Sequence, residues 1–252
     1  MHSPAAHSEV SDALTALASS TPDAAALDAA RAAIARARRD LIAAPGTRAD
    51  TNVIANADAP LRALRDSDAA PGDAGDARLN AWELGTTLAR AGQAGVETAV
   101  IGAALAIGVR LAASDDAIAA AVAVGTLAAT RLLTAVDDAA FRARWNVAAS
   151  LGIVGATLAV SRLLGLDAPR MRHALGIAAT QAAGLARNND EAMGALETGK
   201  AAADAIEASL LAKHGFTSAV ASIDGRRGLA ALMAYRFDAT AITAHPDKEI
   251  AS

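Results

Sequence analysis

Cysteine is missing altogether from the 252 residues. Its absence excludes disulfides, thiol nucleophiles and cysteine-ligated clusters, and leaves the redox compartment undetermined. Aromatic residues are nearly as scarce, at three Phe, two Trp and one Tyr. Basic tracts are lacking too, because the doublets Arg38-Arg39 and Arg226-Arg227 are too short to follow a phosphate backbone. With a net charge of −4 and so few rings for base stacking, nucleic acid is not an expected partner. The first twelve residues carry His2, His7, Glu9 and Asp12 in place of a basic then apolar signal region, so a cytoplasmic location is expected.

Several chemical signatures are absent as well. There is no Walker loop, dinucleotide fingerprint, His-Glu-x-x-His motif or Gly-x-Ser-x-Gly elbow, and no cofactor is expected. His173 and His214 stand at no metal-ligand spacing from another histidine, so no metal site is expected either. The mean hydropathy of +0.27 raises the question of a membrane. The longest uncharged runs, Thr98–Val109, Ala117–Thr130, Asn146–Ser161 and His173–Ala186, fall short of the ~18–20 apolar residues that cross a bilayer. They read as buried core helices.

What the chain has in abundance is alanine. Hydrophobic residues make up 53% and charged residues 20%, so a large core is feasible. Alanine has the highest helix propensity and loses no side-chain entropy, while β-branched and aromatic strand formers are few. The composition predicts an all-α fold of closely packed helices, with weak strand potential only near 219–223.

Punctuation along the chain sets the expected boundaries. A mobile tail over 1–20 precedes a helix from Thr21-Pro22-Asp23 to about Ala43, where Thr21 would cap and Arg31, Arg36, Arg38 and Arg39 form a solvated face. Pro, Gly, Asp and Asn make 44–76 a long irregular connection, followed by a helix over Ala77–Arg90. Ser114-Asp115-Asp116 and Asp137-Asp138 resemble paired carboxylates, but helix-start charge is the simpler reading. Further helices are expected over Ala117–Val136, Asn146–Leu164, Ala168–Ala186 and from Ala192 to His214. Glu197, Lys200, Asp204 and Glu207 share one face of the last of these as a charged stripe. The helical domain spans 21–238, and 239–252 is expected to be a second tail.

From Trp145 to about Leu232 a series of short motifs appears in order: Ser161-Arg162-Leu163-Leu164-Gly165, Arg172-His173-Ala174-Leu175-Gly176, Gly199-Lys200-Ala201-Ala202, Lys213-His214-Gly215-Phe216-Thr217 and Asp224-Gly225-Arg226-Arg227-Gly228. In order and spacing this segment resembles the MmgE/PrpD family, which includes 2-methylcitrate dehydratase and cis-aconitate decarboxylase. The resemblance implies a helical bundle that works as a homodimer, and a small α/β domain that closes the active site. That second domain is expected to be missing here, and a separate subunit could replace it.

The departures from the family pattern concern proton transfer. A histidine that follows an aromatic residue in the family corresponds to Asn146 after Trp145, and a basic pair corresponds to Gly194-Ala195. Asparagine orients by hydrogen bonding but exchanges no proton near neutral pH. The segment Arg187-Asn188-Asn189-Asp190-Glu191 lies where the family's loop approaches its pocket. It supplies candidate catalytic carboxylates, Asp190 and Glu191, and candidate substrate-binding residues Arg187, Asn188 and Asn189. The blander reading is a solvated loop that caps its neighbours. Trp145, Asn146 and Lys200 complete the expected binding set, against plain roles as core filler for Trp145 and as a surface ion pair for Lys200. Two functions follow from the resemblance. One is a metal-independent lyase- or isomerase-class enzyme for a small organic acid or related metabolite; the other is a non-catalytic ligand-binding or assembly subunit.

Overall fold

Side-chain oxygens placed just ahead of alanine-rich segments start most of the long helices. The computed structural model describes residues 7–43 and 76–244. Ser114 accepts from the Ala117 N–H at 3.2 Å, Asp138 from Phe141, and Asp167 from Arg170 at 2.9 Å with Pro169 in the first turn. Each cap satisfies an N–H that the helix itself leaves open. Ahead of the second helix the acceptor is Asp23, bonded to the Ala26 N–H at 2.7 Å, and not the expected Thr21.

Among the described residues the helices in order are α1 (Glu9–Ser19), α2 (Ala24–Ala43), α3 (Ala77–Arg90), α4 (Glu97–Arg110) and α5 (Asp115–Val136). Two single turns follow, α6 (Ala139–Arg142) and α7 (Val147–Ser150), and then α8 (Gly152–Leu163) and α9 (Ala168–Gln181). A 3-10 turn at Ala186–Asn188 leads to α10 (Ala192–Lys213), and the short α11 (Leu229–Met233) and α12 (Thr240–Thr243) are the last among the described residues. No strand forms among the described residues, so the fold is all-α; 219–223 is irregular and then turn, with Ile223 buried.

α4 and α8 form the centre. Thr98–Gly108 and Gly152–Ser161 are buried on every side. α5 crosses α8 and α3 lies along α10, and glycine permits both approaches. A Cβ on Gly155 would stand 2.3 Å from the Gly125 carbonyl oxygen, and one on Gly85 would stand 2.8 Å from the Gly199 Cα. Small side chains are therefore required where backbones touch, which is what the alanine-rich composition supplies.

Both expected tails need correction. Residues 9–19 form α1, whose Val10, Leu14 and Ala18 enter the main core at successive turns. Arg162 ties its end by donating to the carbonyls of Ala18 (2.6 Å) and Ser20 (2.8 Å), and Ser8 donates to Asp224 at 2.7 Å. At the other end Ile242 is buried in α12, and the Asp238 N–H donates to the Ala135 carbonyl at 2.8 Å. Residues 44–75 of the expected connection, and 1–6 and 245–252 of the tails, lie outside the described residues. Asp76 caps α3.

The membrane reading is corrected in one respect. α5 runs 22 residues, with a mean hydropathy of 1.7 over its most apolar window, and is long and apolar enough to cross a bilayer by length and composition. Its uncharged run stops before Arg131, but the helix continues to Val136. Here it is a core element, packed against α8 with Leu132, Ala135 and Val136 buried.

Candidate functional site

The chain leaves α6 in an extended step that lies against the α9–α10 connection. Trp145 and Leu185 form an isolated antiparallel bridge, with Asn146 N–H donating to the Gly184 carbonyl and Ala186 N–H to that of Arg144, each at 3.0 Å. Gly184 has φ +128°, and a Cβ there would stand 3.0 Å from both Ala149 and Asn146. Only glycine fits that turn without strain. The Trp145 indole N–H donates to the Met233 carbonyl at 2.9 Å, so its ring is fixed from the far end.

Asn146, 6% exposed, is the centre of the wall. Its Oδ1 caps α7 by accepting from the Ala149 N–H at 3.3 Å. Its Nδ2 donates to the Gly194 carbonyl and to Glu197 Oε2, both at 3.1 Å. Glu197 Oε1 also accepts from Leu185 N–H (3.3 Å) and Asn188 Nδ2 (2.6 Å). One carboxylate thus joins the α6–α7 step, the 185–188 turn and α10. A charged acceptor with three donors makes a strong and geometrically specific clamp.

This wall encloses one side of a cleft of about 700 Å³. The end of α3 and the turn after it contribute Arg90 and Gln93, α6 contributes Arg142, and the segment ahead of α10 contributes Asn189, Asp190 and Glu191. Arg142 binds Asp137 through two bonds of 2.6 and 2.9 Å, which hold that carboxyl below the usual carboxylate range. Glu191 precedes α10 without capping it through its side chain, so the positive end of a 22-residue helix opens on the cleft. The lining includes no histidine. Among the described residues, no group of three His, Cys, Asp or Glu side chains converges as metal ligands would.

Five of the residues singled out in the sequence meet at this cleft: Trp145, Asn146, Asn189, Asp190 and Glu191. Three do not. Arg187 is exposed on the 3-10 turn and does not line it, Asn188 turns to Glu197, and Lys200 lies in another pocket with Asp204. Asn146 lines the cleft, but both its amide hydrogens are already donated within the protein. Trp82 packs by donating its indole N–H to the Leu196 carbonyl at 3.2 Å.

Sequence reasoning missed Arg90, Gln93, Arg142 and Glu197. The first three come from segments distant along the chain, with no local signal. Glu197 looks solvated because it shares a helix face with Lys200 and Asp204, yet it turns towards Asn146.

Comparison with curated proteins finds no match. The family model described as the MmgE/PrpD N-terminal domain matches residues 81–241. That range covers well over half of the chain and every residue named at the cleft. On that match, the chain belongs to the MmgE/PrpD family.

Proposed function

We propose that the cleft binds a small organic acid, or a related polar metabolite, and acts on it as a lyase- or isomerase-class enzyme. The observation that carries this reading is the meeting of Asn189, Asp190 and Glu191 with Arg90 on one cleft that Trp145 and Asn146 also line. Arg90 and the start of α10 supply positive charge for a substrate carboxylate. Asp190 and Glu191 supply oxygens that can take a proton from the carbon beside it. Asn146 ties the cleft wall to Gly194 and Glu197 of α10, the helix that Asp190 and Glu191 precede, and orientation of this kind can account for much of a rate enhancement.

A second reading has its own support. No histidine lines the cleft and the Asn146 amide is fully engaged, which suits a subunit that binds a ligand without turning it over. Leu232 and Tyr235 are both 74% exposed and flank Met233, whose carbonyl receives the Trp145 indole. Apolar surface in that position favours a covering partner, either a second copy of this chain or a separate subunit.

The purified chain incubated with a panel of citrate-like di- and tricarboxylates, followed by proton NMR, separates these readings. The enzyme reading expects loss or rearrangement of one acid, abolished by Asp190→Ala with binding retained. Saturable binding without conversion supports the second. Neither binding nor conversion by any acid in the panel would sink both.

A further inference from the structure

A second pocket, of about 280 Å³, lies beside the cleft and shares only Trp145 with it. Ala149, Ala183, Leu185, Met193 and Ala201 give it an apolar wall, and Leu185 and Met193 stand partly exposed. Its charged end is made by Asp204 and Lys200 of α10, whose ammonium is hydrogen-bonded to the Asp204 carboxylate. The two partners differ in how firmly they are placed. The Lys200 side chain keeps 45% of its exposure, that of Asp204 only 16%.

We propose that this pocket binds a primary ammonium carried on a compact apolar body, a ligand of the arylalkylamine class, with Asp204 as its anchor. Lys200 already demonstrates that an ammonium fits against this carboxylate. A flexible four-carbon stem ending near solvent can swing out into water at small cost, leaving its place to the ligand's ammonium. Trp145 and the aliphatic wall then cover the apolar body. Burial disfavours the charged form of Asp204 and raises its pKa, while the bond from Lys200 opposes that shift; a ligand ammonium in the same place would oppose it likewise. A carboxylate ligand would meet Asp204 and Glu197 together and is disfavoured. The site does not rest on the acid-binding reading of the cleft.

Titration calorimetry with 3-phenylpropylamine, and with 3-phenylpropan-1-ol as its neutral counterpart, tests the assignment. The amine is expected to bind at least about tenfold more tightly than the alcohol, the margin that a charge-assisted bond supplies. Asp204→Asn, which preserves shape, should remove that margin. Lys200→Met should strengthen amine binding severalfold, because the resident competitor is gone. Asn189→Ala, in the neighbouring cleft, should leave it unchanged. Equal affinity for amine and alcohol would overturn the proposal, as would a margin that survives Asp204→Asn, weaker amine binding by Lys200→Met, or no binding of the amine at all.

Discussion

At the α5–α8 crossing, Gly125 and Gly155 let two backbones meet with no side chain between them. At the cleft wall, Asn146 and Glu197 join three segments through side-chain hydrogen bonds. The first contact depends on what is missing from the residue, the second on which atoms it carries. Added volume is therefore the perturbation that breaks the crossing, whereas the wall fails when a donor or acceptor is lost at nearly constant volume. The bundle tolerates many apolar exchanges in principle, but neither of these two contacts does.

The largest effect is expected at the crossing. Gly155→Val places a side chain where even a Cβ would be 2.3 Å from the Gly125 oxygen, and should lower stability by about 3 kcal/mol in urea unfolding. A loss below about 1 kcal/mol would mean that the helices slide apart freely and that shape does not set the crossing. Asn146→Ala should come next, at about 2 kcal/mol, since it removes the α7 cap and leaves the Gly194 carbonyl without its side-chain donor. Glu197→Gln should cost less, about 1 kcal/mol, because its amide can still accept on one side. It should nonetheless speed hydrogen exchange at the Leu185 amide, whose acceptor is the altered group. An unchanged exchange rate there would remove Glu197 from its place in the clamp.

Legibility in the sequence followed the range of the interaction. Ser114 and Asp138 could be read as helix starts because cap and N–H lie within three residues, and the bounds of α3 followed from the end of the Pro-, Gly- and Asp-rich connection before it. α1 was not legible, because Val10, Leu14 and Ala18 make a short apolar face that becomes informative only once α8 and α9 are seen to cover it. Meeting points between distant segments needed the family resemblance, which brought Trp145 and Asn146 near 189–191 without any residue pattern that paired them. Where the resemblance was silent, at Arg90, Gln93 and Arg142, nothing local pointed to the cleft. Helix periodicity placed Glu197 and Lys200 on one face, but periodicity does not say which neighbour covers each turn of that face. One turned to Asn146 and the other to Asp204.

The smallest expected effect separates two ion pairs by the sign of their response to pH. At Asp137 the bonds from Arg142 hold the native carboxyl below its usual range, so the native state binds fewer protons than the unfolded chain in acid. Its stabilisation is present above the unfolded carboxylate value and fades as pH falls through the native one; solvent around this exposed pair keeps it small. Asp204 behaves in the opposite way. Burial pushes its native value up, more than Lys200 pulls it down, so the unfolded chain releases this proton first as pH rises. The group's contribution is then greatest below the unfolded value and declines as pH rises through the native one. In urea unfolding between about pH 3 and about pH 7, Asp204→Asn should gain stability relative to the natural chain with rising pH, and Asp137→Asn should lose it. A decline for Asp204→Asn would mean that Lys200 outweighs burial. The Lys200 pair would then stabilise the fold in the same sense as the Arg142 pair.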